Sequence, residues 1–486
     1  MSSKKIENPR PPQRLGLILG LLVTAQFVVI LDFSIVQIAL PTIRGDLHMS
    51  LADLTWIVSA YGLTFAGFLM LSGRASDIYG RKRFFMLGLV IFSVASLAGG
   101  LATSELVLIA ARVVQGIGAA LASATALALI VRIFAPLGRL NQALGIFTAV
   151  SSAGFSAGVI LGGVLTEALG WRWIFFVNVP IGILASLLAV KFLPDAGGPR
   201  KAGGHLDIPG AATVTGGLML LVYGLTEIGN GDTSYGTYLV LALAAAVLAS
   251  FLVIEYRSAA PLMPLNFLGR RTIFFANATA LLTFAANVSM IFLLTTYLQA
   301  LLSYPPLTAA AALLPGALVY FFLGGFGAPR LVKRFGARSV LVGAMVALSA
   351  GLLLFTRISL DSSYLTIVLP ALLVACVGGS LALTASNIAA LAGAKPGEEG
   401  IASGLINTSR QVGGPVGLAV AVSVIGLVTQ GLGISAPSGE VITAFRYAFV
   451  VGASFGAFAV VTSLLIKGAS GQTEPTRPPA QQPAAP

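Results

Sequence analysis

The sequence has few charged residues for its length. Only 9% of its 486 residues are Asp, Glu, Lys or Arg, whereas 57% are hydrophobic, and the mean hydropathy is +0.93. A soluble protein normally carries charge on about a quarter of its residues. The composition therefore excludes an ordinary soluble enzyme and a disordered chain, and it indicates a polytopic membrane protein.

Cysteine and histidine are almost missing. The single cysteine, Cys376, excludes an intramolecular disulfide, and the two histidines, His48 and His205, fall in apparent loops. A buried metal site built from His and Cys ligands is therefore not expected. The sequence also lacks the patterns Gly-x-x-x-x-Gly-Lys-Ser/Thr and His-Glu-x-x-His. We expect no enzymatic activity, no metal and no cofactor, with an ion gradient as the energy source.

Long apolar runs dominate what is present. Fourteen runs of roughly 20 residues can each cross a hydrocarbon core as a helix. The predicted fold is therefore all-α and membrane-integral, with a site inside the membrane or at its faces. The predicted segments are a cytoplasmic tail (1–14), a six-helix half (15–193), two linker helices (208–256), a second six-helix half (271–466) and a disordered tail (470–486).

Basic residues alternate between the predicted loops. With a cytoplasmic N-terminus, 23 of the 29 Lys and Arg residues fall on the cytoplasmic side and four on the other, while Arg112 and Arg410 lie within runs. This bias matches the positive-inside rule. The net charge of +12 therefore reflects topology beside anionic lipid rather than nucleic-acid binding. We expect a monomer in the plasma (inner) membrane, with both termini cytoplasmic.

Two predicted cytoplasmic loops resemble each other. The first runs from Gly73 to Arg83 and the second from Arg330 to Arg338, and aligning Gly80 with Gly336 gives an offset of 256 residues. Repeated halves around a central site are typical of secondary transporters. A chance similarity between two Gly- and Arg-rich hairpins is the alternative.

Asp32 is the one acidic residue well inside an apolar run. A carboxylate at this depth is costly, so it should face the bundle interior, where it could carry a proton. Arg112 is its natural partner in the fourth run, and Gln115 lies one turn further on. The pair could switch during transport, or it could be a static ion pair that joins two helices.

Other residues are candidates for a substrate cavity or for helix packing. Arg410 and Asn407 are three residues apart and share a helical face, although Arg410 could also extend to the cytoplasmic surface. Gly154, Gly158 and Gly162 recur every four residues, next to Gly163, and permit close helix approach. Further cavity candidates are polar (Gln26, Gln37, Gln115, Asn277, Asn287, Gln299, Gln411) or aromatic (Phe27, Phe33, Phe147, Phe155, Phe284, Phe292, Tyr297).

Together these stretches resemble the major facilitator superfamily, in particular its fourteen-span drug:proton antiporter branch. The segments that carry the similarity are Leu31–Pro41, Gly73–Arg83, Leu108–Gly118, Gly154–Gly163 and Trp171–Gly182. The resemblance implies two six-helix halves with two extra central helices between them. It also implies a drug:proton antiporter of amphipathic antibiotics, dyes or biocides.

The resemblance implies roles for individual residues. Asp32 and Arg112 would couple proton movement to transport. Gly73, Asp77, Gly80 and Arg81 would form a gating loop, and the glycines from 154 to 163 would form the helix-five antiporter motif.

The sequence departs from the branch at several positions. Val159 replaces a usual proline, Gln37 replaces an asparagine, Ser34 replaces a threonine and Lys333 replaces an acid. The alternatives to a drug exporter are a dedicated exporter or facilitator of one endogenous metabolite on the same fold, or a membrane-embedded enzyme or receptor.

Overall fold

A computed structural model describes residues 15–194, 206–258, 261–263, 265–395 and 398–466. The predictions for the tails 1–14 and 470–486 therefore lie outside the described residues. Within the described part, 14 helices are long and apolar enough to cross a membrane, and there is no strand. The helices are α1 (Leu15–Leu47), α2 (Leu51–Tyr79), α3 (Arg81–Gly100), α4 (Glu105–Phe134), α5 (Leu140–Ala168), α6 (Trp173–Phe192), α7 (Ile208–Gly229), α8 (Tyr235–Arg257), α9 (Arg271–Leu301), α10 (Pro306–Phe335), α11 (Ala337–Arg357), α12 (Tyr364–Ala392), α13 (Glu399–Val428) and α14 (Ser438–Leu464).

The two halves have the same internal packing. In the N-terminal half, α1 packs along α5 and α3 along α4; in the C-terminal half, α9 packs along α13 and α11 along α12. The repeated loops also share their geometry, because Gly80 (φ 107°) and Gly336 (φ 81°) each separate two helices in a conformation that favours glycine. The fold is thus two six-helix halves with two further helices between them in sequence.

The two linker helices occupy different positions. α7 packs against both α2 and α13, so it touches both halves, whereas the main neighbour of α8 is α7. Gly67 lets α7 approach α2, since a Cβ at this position would lie 1.8 Å from the hydroxyl oxygen of Thr215. Gly426 does the same on α13, where a Cβ would lie 2.0 Å from the carbonyl oxygen of Gly229.

Several helices run further than their apolar sequence. α1 continues through Pro41 to Leu47, and α2 begins beyond Ser50, whose hydroxyl accepts the Asp53 N–H at 2.9 Å. Hydrophobicity marks only the length that lipid covers, whereas a helix ends where its backbone groups find a cap. In α10, Tyr320–Gly327 adopts a π-helical conformation after Pro315.

The helix bundle has two ends. We call one of them the basic end, which is the end at which the odd-numbered helices start, and we call the opposite one the far end. The two halves contact each other closely at the far end. The Glu167 carboxylate accepts the Leu307 N–H at 2.9 Å, and Gln299 donates to the Ile38 carbonyl at 2.8 Å. At the basic end, the last turns of α10 pack on α11 and α12 of their own half. The structure is therefore one in which the far end is closed.

Candidate proton and substrate site

Asp32 on α1 and Arg112 on α4 form an ion pair in the interior of the N-terminal half. The guanidinium nitrogen NH1 of Arg112 lies 2.6 Å from Oδ2 of Asp32. Their side chains are 1% and 0% exposed, respectively. The pair that the sequence suggested therefore exists in this conformation, and it is shielded from water on every side.

Three neutral side chains complete the site. Gln115 and Asn178 each donate a hydrogen bond of 2.7 Å to Oδ1 of Asp32. Gln115 also accepts from Arg112 at 2.7 Å and donates to the Ser96 hydroxyl at 2.6 Å. Both carboxylate oxygens of Asp32 thus accept hydrogen bonds from side chains of the same half.

Arg112 has further partners on α2. Its Nε donates to the Ile57 carbonyl at 2.9 Å, and its guanidinium carbon lies 4.2 Å from the centre of the Tyr61 ring. Tyr61 in turn donates to the Val29 carbonyl of α1 at 3.2 Å. The site therefore joins α1, α2, α3, α4 and α6, and a change in its charge would act on all five helices.

Sequence reasoning placed Asp32, Arg112 and Gln115 in or near this site but missed Asn178, Ser96 and Tyr61. Asn178 begins the second segment of α6, after a break at Val177. The sequence signal that could have identified Asn178 was its position within Trp171–Gly182, a stretch that resembles the major facilitator superfamily. Gln115 was predicted to line the substrate cavity, but the structure places it in the ion-pair site.

Arg410 lies in the other half and differs from Arg112. It is 6% exposed and donates to the Leu383 carbonyl at 2.7 Å and to the Ser386 hydroxyl at 2.9 Å. Asn407, predicted to share its face, accepts a longer bond of 3.4 Å. The side chain thus lies inside the bundle and bridges to α12, rather than extending to the surface.

The remaining cavity candidates have diverse surroundings. Phe33 is partly exposed and its ring lies 6.4 Å from that of Tyr61, while Gln411 is also partly exposed. Gln37 is 1% exposed, and both polar atoms of its amide have no hydrogen-bond partner among the described residues. Gln26 accepts from Ser123 at 2.7 Å.

The glycines of α5 contact two different helices. A Cβ at Gly154, Gly158 or Gly162 would lie 2.9, 2.8 or 2.8 Å, respectively, from a backbone oxygen of α1. A Cβ at Gly163 would lie 2.5 Å from that of Ala310 on α10. The first three glycines therefore pack α5 against the helix that carries Asp32, and the fourth packs the two halves together.

The predicted gating loop forms contacts within its own half. NH2 of Arg81 lies 2.7 Å from Oδ1 of Asp77, and NH1 of Arg81 donates to the Ala128 carbonyl at 3.2 Å. Gly80 ends α2 at this point, whereas Gly73 lies within α2 with open space around it. In this state the loop connects α2, α3 and α4.

Several curated proteins are similar in sequence to this chain over most of its length. It is 42% identical to the cephamycin export protein CmcT of Amycolatopsis lactamdurans, over 84% of both chains. It is 36% identical to the puromycin resistance protein pur8 of Streptomyces alboniger, over 86% of this chain and 83% of that one. The multidrug resistance protein Stp of Mycobacterium tuberculosis is 34% identical, over 82% and 74%.

Solved transporter structures share the fold. A bacterial homologue of the human lysosomal transporter Spinster, in an inward-facing and occupied conformation, aligns with a TM-score of 0.66 at 16% identity, over 94% of this chain and 97% of that one. The xylose transporter XylE from E. coli aligns with a TM-score of 0.63 at 12% identity, over 94% and 99%. Residues 22–418 match the sequence profile of the Major Facilitator Superfamily. With this match over most of its length, the chain belongs to the Major Facilitator Superfamily.

Proposed function

We propose that this protein is a proton-coupled exporter of amphipathic small molecules such as antibiotics, dyes or biocides. The observation that carries the proposal is the water-shielded Asp32–Arg112 pair, a titratable group enclosed between helices that must move during transport. Relatives named for cephamycin export and for puromycin or lincomycin resistance support the direction of transport and the substrate class.

The proposal includes an orientation in the membrane. The basic end would face the cytoplasm, because Lys and Arg concentrate on cytoplasmic loops. Both termini would then be cytoplasmic, and the membrane would be the plasma membrane. The working unit would be a monomer in the bilayer, with protons and a small molecule as its partners, and with a proton gradient in place of a cofactor or nucleotide.

The site suggests how proton binding could drive the cycle. Protonation of Asp32 removes the negative charge that holds Arg112, while Arg112 keeps its bonds to Ile57 and Gln115 on α2 and α4. This protonation would occur in a conformation with the far end open. The contact between α1 and α4 is then weaker, and the halves rock so that the far end closes and the basic end opens. Asp32 would take its proton from the outside and release it to the cytoplasm as substrate moves outward.

The energy available from one proton limits what the exporter can achieve. A single charge moving through 100 mV supplies about 2.3 kcal/mol. This corresponds to somewhat under two decades of substrate gradient at about 1.4 kcal/mol per decade. A steeper gradient would require more protons per substrate or a contribution from the pH difference.

A dedicated exporter of one compound is the second candidate. It is favoured by the similarity to a protein named for the export of a single antibiotic class, cephamycin. Breadth of transport separates the two, because a dedicated exporter would respond to one compound of a panel and a multidrug exporter to several of unrelated structure.

The test is proton antiport in everted membrane vesicles. A respiration-driven pH gradient is followed with a quenched dye while cationic, neutral and anionic drugs are added to wild type and to Asp32→Asn. We expect some compounds to restore fluorescence in wild type and none to do so in Asp32→Asn.

Asp361→Asn serves as the matched control, since Asp361 is an exposed far-end carboxylate outside the site. It should behave as wild type. A response that persists in Asp32→Asn would remove Asp32 from coupling. A lack of response to every compound in folded wild type would contradict the export of many amphipathic drugs and favour a dedicated carrier of one metabolite.

A further inference from the structure

Arg410 is a buried cation that has no anionic partner in the described part of the chain. It is 6% exposed, and its three hydrogen-bond acceptors, at Leu383, Ser386 and Asn407, are neutral oxygens. No carboxylate among the described residues forms an ion pair with it. Arg112, the other arginine inside the bundle, has Asp32 for this purpose.

The acidic residues of the C-terminal half all lie at helix ends or in loops. They are Asp361, Glu398, Glu399 and Glu440. Glu398 is already engaged by Arg270, whose hydrogen bond lowers the pKa of Glu398 to about 2. Glu399 begins α13 eleven residues before Arg410, which is roughly 16 Å along the helix. The half therefore has no acidic residue placed like Asp32 to neutralise Arg410.

Leaving a charge in this position is energetically costly. A buried, uncompensated ion loses its hydration, and neutral hydrogen bonds do not fully restore that loss. The Phe284 ring, 5.8 Å from the guanidinium carbon, gives only a modest cation–π contribution. An anion bound during transport would compensate the charge.

The surroundings of Arg410 allow a ligand to approach. Asn407, Gln411 and Phe284 are partly exposed around it, so the site combines a cation, amides and an aromatic face. The longest bond of the guanidinium is the one from NH1 to Asn407, at 3.4 Å, so NH1 is held less tightly than NH2, which donates at 2.7 and 2.9 Å. A planar guanidinium presents parallel N–H donors that match the two oxygens of a carboxylate.

We propose that Arg410 binds the carboxylate of an amphipathic substrate, with Asn407 and Gln411 as polar neighbours and Phe284 as the apolar contact. This inference rests on the proposed export function and names its substrate class. Asp32 is neutralised by Arg112, so among the described residues the charge left unpaired in the interior of the two six-helix halves is the positive charge of Arg410. The exporter is accordingly selective for organic anions over cations.

Binding of a matched pair of probes tests the proposal. The purified protein in lipid nanodiscs is titrated with dansyl-phenylalanine, which carries a carboxylate, and with its uncharged methyl ester, and the signal of empty nanodiscs is subtracted. We expect wild type to bind the carboxylate about tenfold or more tightly than the ester, as for a hydrogen-bonded charge pair. Arg410→Gln should lose this preference while retaining ester affinity.

Two further variants make the result specific. Arg410→Lys keeps the charge without the planar donors, so it should keep only part of the preference. Arg338→Gln removes an exposed arginine at the basic end and should bind both probes as wild type does. Melting temperatures of all variants report whether they are folded.

Three results would overturn the proposal. Wild type could bind the carboxylate probe no more tightly than the ester, or Arg410→Gln could keep the preference for the carboxylate. In the third result, a folded Arg410→Gln would lose affinity for both probes equally. The last result would make Arg410 a structural bridge between α12 and α13. Failure of the export function would instead appear as absent transport in everted vesicles, with the probe preference in nanodiscs unchanged.

Discussion

Asp32 and Arg112 neutralise each other in a region that water does not reach. Breaking such a pair by removing one partner costs about 3–5 kcal/mol, because the other charge stays buried and unpaired. Replacing both partners with neutral groups avoids this cost, since no charge is then left to hydrate. The pair therefore makes the N-terminal half sensitive to the charge of a single carboxyl group.

A comparison of single and double variants tests this coupling. We expect Arg112→Gln to lower the melting temperature by several degrees, and Asp32→Asn combined with Arg112→Gln to recover most of the loss. The measurement is thermal unfolding in one detergent at constant pH, with Arg338→Gln as the surface control. A double variant that is less stable than Arg112→Gln would show that the pair stabilises the fold by more than charge balance.

The difference between what the sequence revealed and what it concealed is clear at this site. A charge within an apolar run is conspicuous, so Asp32 and Arg112 could be found from sequence alone. Asn178 and Ser96 are neutral and of common residue types. Asn178 reaches the carboxylate because the fold brings α6 beside α1, and Ser96 reaches Gln115 and Asn178 because α3 packs on α4 and α6. Their sequence separation from Asp32 follows no helical period, so no pattern could reveal them.

The glycine-rich face of α5 shows how an element can serve two contacts. Its spacing predicted close packing of helices, but not the identity of the partners. The structure divides the glycines between α1 in the same half and α10 in the other half. Since both halves meet at Gly163, we expect the packing of this one helix face to influence whether the far end is open.

Gly163→Ala should open the far end. Its added Cβ would lie 2.5 Å from the Cβ of Ala310 and 3.0 Å from the Cα of Leu307, so the two halves must separate there. Spin labels at the exposed positions Thr103 and Asp361, in a Cys376→Ala background, report the far-end distance by double electron–electron resonance. We expect a larger population of long distances in Gly163→Ala.

Gly145→Ala is the matched control on the same helix, because nothing lies within 4 Å of a Cβ at Gly145. It should leave the distance distribution as in wild type. An unchanged distribution in Gly163→Ala would mean that the contact between α5 and α10 does not control the far end.

α7 gives the whole molecule a connection that the two halves alone do not provide. At the far end Asn230, just after α7, donates to Asp53 of α2 at 3.0 Å, and Ser423 of α13 donates to the Leu225 carbonyl. The repeat and the charge bias predicted the order of six, two and six helices. They could not predict that α7 packs between α2 and α13. Its contacts with these helices involve glycine and serine, which produce neither a charge pattern nor a hydrophobic period in the sequence.

This position of α7 leads to a prediction about stability. A Cβ at Gly426 would lie 2.0 Å from the Gly229 carbonyl oxygen, and backbone of α7 cannot rotate away as a side chain could. We expect Gly426→Ala to lower the melting temperature by several degrees and to reduce transport, since α7 must move away from α13. Gly343→Ala, at a helical glycine with open space around it, should be neutral or slightly stabilising, because alanine favours the helix by roughly 0.5–1 kcal/mol. Equal melting temperatures for Gly426→Ala and Gly343→Ala would show that α7 is not held tightly between the halves.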